Sequence, residues 1–307
     1  MAIPATFDRT TIVRGPCRIT YDGATFFSKG GVALAMSNET FDKESDAYGI
    51  VGRAKNDLKI TVSFEPVGEI EALSTLFPYA ATLPGASIYG STDKPLVIVA
   101  ADATYTILNA AITKLPTVKC SANSTALGSV EFTGLLKKGG DPAIAADYFT
   151  TGAGGTVQAV GFNPAGIITA PYSATIAGTL SFMSEAGFDI SFDSKINPIK
   201  VDGIGTVDMS FQDIEFTVTC IPTGVTDTSF DTYFGSLSAG EELSGVSLDI
   251  STPTLGGINF DSTSVQVMDI QRRFSPNDNR LGQLTLKSKR TVSSGIAVAI
   301  YTLGVVA

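Results

Sequence analysis

The chain has 307 residues, with 21 Lys and Arg against 30 Asp and Glu for a formal net charge of −9, and it contains neither histidine nor tryptophan. That length predicts about two domains, each able to bury a core of its own. The acidic balance argues against a surface that grips nucleic acid by neutralising phosphates. Without histidine, neither a Ser/His/Asp nor a Cys/His nucleophilic site can be built.

From the start, Met1-Ala-Ile-Pro-Ala-Thr-Phe-Asp-Arg has no basic stretch followed by an apolar core, so no secretory signal is expected and synthesis in the cytoplasm is. No run approaches the ~18 apolar residues of a membrane helix. The first strand signal is Leu58-Lys-Ile-Thr-Val-Ser-Phe, which puts Ile60, Val62 and Phe64 on one face and Lys59, Thr61 and Ser63 on the other. Helical spacing of Ile70, Leu73, Leu76 and Phe77 predicts a short amphipathic helix over 69–77. Strand signals return at Leu96-Val-Ile-Val and Ser129-Val-Glu-Phe-Thr, the latter ending in Lys137-Lys138. A stretch rich in Gly, Ala and Pro then reads as a linker or long loop. Beyond it come Phe188-Asp-Ile-Ser-Phe and Ile214-Glu-Phe-Thr-Val-Thr-Cys, a second helical spacing at Phe230, Tyr233 and Phe234, and Gln283-Leu-Thr-Leu-Lys.

These segments repeat. Thr61-Val62 through Pro66 matches Thr217-Val218 through Pro222, a shift of 156 (217 − 61 = 156). At that shift Gly31 meets Gly187, Asp46 meets Asp202, Gly49 meets Gly205, Val51 meets Val207 and Asp57 meets Asp213. The strand after Gly128 matches the one after Gly282 at a shift of 154 (282 − 128 = 154). Strand, helix and strand recur in one order, which predicts a domain duplication. The expected layout is a β domain over 1–140, a linker over 141–177 and a second β domain over 178–307, all-β apart from one short helix per repeat.

Candidate chemistry is sparse. Glu69/Glu71 and Asp227/Asp231 lie at the start of the expected helices, where acidic side chains favour the positive end of the helix dipole, and Glu241/Glu242 form a third carboxylate pair. Neither Gly152-Ala-Gly-Gly-Thr nor Gly203-Ile-Gly-Thr-Val-Asp completes a phosphate-binding loop, and Pro276-Asn-Asp-Asn-Arg280 reads as a turn rather than a calcium loop. Asn38-Glu-Thr40 and Asn123-Ser-Thr125 match the glycosylation pattern but lack the expected secretory context. Cys17, Cys120 and Cys220 are too widely spaced for a disulfide framework or close metal-ligand pairs and are expected as buried thiols. No catalytic residue, metal ligand or cofactor is therefore assigned. Basic residues at Lys137, Lys138, Arg272, Arg273, Lys287, Lys289 and Arg290 read either as solvated strand ends or as contacts to acidic patches on a neighbouring copy.

Gly15-Pro-Cys-Arg-Ile-Thr-Tyr-Asp-Gly, the polar segment 37–52, the strand ending Phe64-Glu65-Pro66, the expected helix and the Gly-led strand at Ser129 together resemble the major tail tube proteins of long-tailed phages. The resemblance implies a β-sandwich or barrel whose neighbours join edge to edge around a channel. Six domains would close each ring, so a chain with two copies would assemble as a homotrimer of pseudo-sixfold symmetry, and rings would stack into a tube in the virion. It also implies that Glu39, Asp42, Lys43, Glu44 and Asp46 lie on a loop reaching the adjoining ring, matched in the second copy by 193–205. Partners would be the chain itself, other tail proteins, and viral DNA passing through the lumen without specific binding. Another virion component, such as a terminator, baseplate or decoration protein, and a non-viral β-sandwich binding module are the alternatives.

Overall fold

The computed structural model describes residues 17–68, 72, 74–121, 124–157, 171–201, 204–225, 246–252, 258–275, 278–288, 292–293, 296–297 and 299–305. As expected, the fold is nearly all β. Strands β1 (Arg18–Tyr21), β2 (Ala24–Ser45) and β3 (Gly49–Gly68) open the chain, followed by β4 (Leu96–Val99), β5 (Ala103–Ile107) and β6 (Asn109–Lys114). A short hairpin, β7 (Val118–Ser121) and β8 (Ser124–Leu127), precedes β9 (Val130–Leu135) and β10 (Phe149–Ala153). The later strands are β11 (Ser173–Ile176), β12 (Leu180–Ser184), β13 (Phe188–Val201), β14 (Gly205–Cys220), β15 (Pro222–Thr223), β16 (Val246–Ser251), β17 (Ile258–Ser275) and β18 (Asp278–Ser288). Two short strands, β19 (Val292–Ser293) and β20 (Ile296–Ala297), pair with each other, and β21 (Thr302–Val305) pairs with β17.

Two large antiparallel sheets result. The first runs β10-β5-β4-β1-β2-β3-β9-β6, and the second β15-β12-β11-β16-β17-β18-β14-β13-β7-β8 with β21 added beside β17. Long hairpins dominate both. Period-2 alternation explains why they hold register: Phe188, Ile190 and Phe192 of β13 point into the core while Asp189, Ser191 and Asp193 face outward, so a one-residue slip would turn every apolar side chain to water.

Register in the second hairpin follows the first, pair by pair, at the offset of 156. Leu34↔Val62 corresponds to Ile190↔Val218, Met36↔Ile60 to Phe192↔Phe216, and Ser45↔Gly49 to Val201↔Gly205. Two of the three register shifts of the first hairpin recur, the one after Glu39 and the one after Lys43 matching those after Lys195 and Ile199; the third, between Lys29 and Val32, precedes the part that β13 and β14 share. Flanking strands agree as well: Thr61↔Thr133 corresponds to Thr217↔Lys287, and the bulge between Ile112 and Lys114 to that between Val267 and Asp269. The two non-glycine residues with positive φ among those described, Asp22 (48°) and Ala177 (52°), each precede a glycine in the turn joining the first two strands of their sheet segment, β1–β2 and β11–β12. Left-handed backbone at both turn positions suits the right-handed twist of a tight hairpin.

One hydrophobic cluster runs through both sheets. Phe192 packs against Phe216 at 5.5 Å and Tyr301 at 5.0 Å, and Phe77 closes on Phe192 at 5.1 Å. Each such phenyl ring contributes roughly 1.5–3 kcal/mol by leaving water. Residues 77–90 bind the halves together. The Tyr79 ring stacks on Phe211 at 5.3 Å while its hydroxyl donates to the Ile112 carbonyl in the first sheet. The backbone of Gly85, Ala86 and Ile88 bonds to Phe211 and Met209 along β14, at 2.7 to 3.0 Å. Beside them the Thr206 hydroxyl donates to the buried Asp57 carboxylate at 2.6 Å.

Of the helix expected over 69–77, the described part holds Ala72 in α-helical geometry and a 3-10 turn, Ser74–Leu76, with Leu76 and Phe77 buried; the second expected helix, at 230–234, lies outside the described residues. Two expectations are corrected. The linker expected over 141–177 contains a 3-10 turn (Ala145–Asp147), β10 and β11, and β10 pairs along β5, so the first sheet extends to residue 153. Gly154 lies against the Ala101 carbonyl, where a Cβ would sit 2.2 Å away. Finally, 37–52 is not a loop but the far part of the β2–β3 hairpin, with only residues 46–48 between its strands.

Candidate assembly surface

Both long hairpins present apolar side chains at their ends. Tyr48 is 84% exposed, Ile50 56% and Val51 59% on the first, and Ile199 and Val201 are exposed on the second. Exposed apolar groups concentrated at two matched ends mark contact surfaces more than scattered ones do. Of the acidic and basic residues expected to reach a neighbouring ring, Asp42, Glu44 and Asp46 are exposed on the same hairpin. Glu39 stands opposite Asp57 and Lys43 opposite Gly52 in the ladder. The sequence reading missed the apolar set, which the alternation in Tyr48-Gly-Ile-Val carried too weakly to separate from a core strand.

Strand edges are the second feature. β1 covers β2 only along 24–27, so the outer edge of β2 from Val32 onward has no strand beside it among the described residues. The matched edge of β13 is covered, because β7 pairs there as Phe188↔Cys120, Asp189↔Lys119 and Ile190↔Val118. Coverage changes burial: Phe188 and Ile190 are each 1% exposed, whereas Val32 and Leu34 are half-buried. Lys29, Gly30, Gly31, Val32 and Phe64 line an open depression at the bare edge. In the middle of the second sheet, the β17–β18 hairpin extends past the pairing of β16 and β14 as Arg272↔Leu281, Arg273↔Arg280, Phe274↔Asn279 and Ser275↔Asp278. An open edge is a template for another strand.

The basic residues do not form one patch. Lys137 pairs with Asp147 at 2.6 Å, and this hydrogen bond, with one from the Asp141 amide, holds the Asp147 carboxyl below its usual range. Lys138 is bonded through its amide to Asp93 and through its ammonium to the Gly90 carbonyl. Lys287 pairs with Glu215 at 2.7 Å. Each of these three lysines has a partner within the chain. Arg272 and Arg273 lie on the protruding hairpin, and Lys289 and Arg290 fall outside the described residues.

No protein-family model matches this chain, and a search of curated proteins finds no match.

Among the described residues no group of three or more His, Cys, Asp and Glu could hold a metal ion, and no helix is long and apolar enough to cross a membrane. Cys17, Cys120 and Cys220 are free and buried, and burial pushes the Cys120 and Cys220 thiols up to about 12. One carboxylate pair escaped the sequence reading: Asp249 and Asp261 are opposite each other across β16 and β17. Burial and then the Asp249 charge push the Asp261 carboxyl up, against a hydrogen bond from Thr302. A cleft of about 380 Å³ between the two long hairpins carries Asp57, Lys59, Glu131 and Lys200, charges of both signs, with the Thr206 hydroxyl donating to Asp57 and the Thr113 hydroxyl to Glu131.

Proposed function

We propose that this chain is a structural building block made of two tandem copies of one β domain, and that it assembles as trimeric rings of pseudo-sixfold symmetry that stack into the hollow tube of a phage tail. The observation that carries this reading is the shared register. Two hairpins of independent sequence position keep the same pairs and the same two bulges at one offset. Bulges are local features retained for a purpose, and a common pattern of them marks a common ancestor and a common use. Two copies of one domain in a chain supply the repeat from which head-to-tail contacts close a ring, and stacked rings extend it to a filament.

Three further features fit the tube. Each domain has a bare or protruding edge suited to strand addition. Both long hairpins end in exposed apolar side chains that would meet the next ring. The net charge of −9 suits a lumen that conducts DNA without holding it, since like charge repels phosphate. In this reading the protein is made in the host cytoplasm, resides in the virion tail, meets other tail proteins at the ends of the tube and needs no cofactor.

Electron microscopy of the purified chain over a range of concentrations tests the proposal. Hollow tubes or rings with three chains and six similar lobes are expected. A chain that stays monomeric at the highest concentration overturns it.

A further inference from the structure

A strand of the first half that pairs along the edge of the second is also the clue to how one chain reaches another. Hairpin β7–β8 lies between β6 and β9, and it pairs with β13. Its counterpart in the second half is the protruding end of the β17–β18 hairpin. At the offset of 154 (272 − 118 = 154), Val118↔Leu127 corresponds to Arg272↔Leu281, Lys119↔Ala126 to Arg273↔Arg280, Cys120↔Thr125 to Phe274↔Asn279 and Ser121↔Ser124 to Ser275↔Asp278. The bases match as well: a Cβ on Gly128 would meet Thr117, and one on Gly282 would meet Gln271, the residue at the same offset. The first-half counterpart of the edge that β7 covers is the bare β2 edge at 32–34.

We infer that residues 272–274 of one chain add as a strand to residues 32–34 of a second copy, with Arg272 opposite Leu34, Arg273 opposite Ala33 and Phe274 opposite Val32. This rests on the reading of the chain as two copies of one domain, and it turns that reading into a register. The joint inside the chain and the joint between chains are then the same joint, used alternately around the ring.

Space at the edge agrees. Gly187 has φ +86°, and a Cβ there would lie 2.3 Å from the Cys120 carbonyl oxygen and 3.0 Å from the Ser121 Cα, because the docked hairpin passes directly over it. Its counterpart Gly31 has φ +103° and nothing within 4 Å. The first half thus keeps the same backbone bend with the guest strand missing, and the atoms that fill the gap at Gly187 correspond to residues 274 and 275. Exposure follows the same logic, since the uncovered Val32 and Leu34 stay half in water where the covered Phe188 and Ile190 do not. Adding a strand removes that apolar surface and pairs open backbone groups at once. The two joints differ in one respect: Lys119 and Asp189 form an ion pair at 3.5 Å, while the positions that match them hold Arg273 and Ala33. Register between chains is therefore set by backbone pairing and apolar contact.

The test is cross-linking in the full chain carrying Ala33→Cys and Arg273→Cys. Directly opposed residues in an antiparallel ladder have Cα atoms about 4.5–5.5 Å apart, inside the disulfide range. Mild oxidation should give interchain dimers and closed trimers on a non-reducing gel. A control with Ala33→Cys and Gln271→Cys is displaced two residues, roughly 8 Å apart, and should give none. The buried native thiols compete little. Rings in the microscope with no cross-link from the first pair, or with equal cross-linking from both, overturn the register and leave the ring reading standing; absence of rings from the unsubstituted protein overturns both. Should the cysteine variants not fold, hydrogen exchange on the natural chain decides the matter. Amides of 32–34 and 272–275 should gain protection together as concentration rises, and protection at neither site overturns the inference.

Discussion

Gly187 and Gly31 occupy matched bends, and replacing each by alanine separates the covered edge from the bare one. Both substitutions force a Cβ into left-handed backbone, φ +86° and +103°, which costs about 1–2 kcal/mol. Gly187→Ala also drives that Cβ to 2.3 Å from the Cys120 carbonyl oxygen, a contact with backbone that no rotamer change relieves. Overpacking of this kind adds about 1–3 kcal/mol, so the total is roughly 2–5 kcal/mol. Gly31→Ala meets nothing within 4 Å and should cost the dilute, unassembled chain only the ~1–2 kcal/mol of backbone strain. Urea unfolding at low concentration, followed by tyrosine fluorescence or far-UV circular dichroism, measures both. In assembled protein the order should close up, because the guest strand then lies over residue 31; a further ~1.4 kcal/mol there raises the concentration needed for assembly about tenfold. Equal destabilisation of the two variants in the dilute chain would refute the argument that one edge is covered and the other bare.

Two predictions concern the chain itself. Thr206→Val removes the hydroxyl that donates to the buried Asp57 carboxylate at 2.6 Å, and the stranded acceptor should cost about 1–3 kcal/mol in the urea midpoint; an unchanged midpoint would mean that Asp57 finds another donor. Asp261→Asn removes one of two like charges directly opposed across β16 and β17. Because the Asp261 carboxyl is raised in the folded state, the native chain holds more protons than the unfolded one between the ordinary aspartate range and the raised value, so stability falls as pH climbs through that window. The variant should be more stable by about 0.2–1 kcal/mol at neutral pH, a gain that vanishes in acid where the raised Asp261 carboxyl is protonated; a gain that persists there would assign the effect to something other than charge.

Much of the architecture was legible because strand pairing is local to a hairpin. The alternation of Ile60, Val62 and Phe64, and of Phe188, Ile190 and Phe192, announces half-buried strands, and the match of Asp57 with Asp213 and Gly49 with Gly205 aligns residues that the structure places at the same ladder positions. The expected helix over 69–77 tightens after helical Ala72 to a 3-10 turn at Ser74–Leu76, where Leu76 and Phe77 plug the core beside Phe192, and a short apolar cluster of that kind reads the same in a 3-10 turn as in a helix. The Gly- and Ala-rich stretch misled similarly, since it holds the edge strand β10 along β5, and Gly154 just after it lies where a Cβ would strike the Ala101 carbonyl.

By itself the sequence determined the strand faces, the offset of 156 at which the two long hairpins match, and the lack of histidine, all of which depend on residue identity and spacing along the chain. Only the tertiary structure decided that β7 covers the β13 edge while no described strand covers the β2 edge from Val32 onward, that Lys137, Lys138 and Lys287 meet partners within the chain, and that the two halves share one core. Those facts depend on which backbone groups remain unpaired after distant segments have come together, and an unpaired edge leaves no mark on the residues that form it.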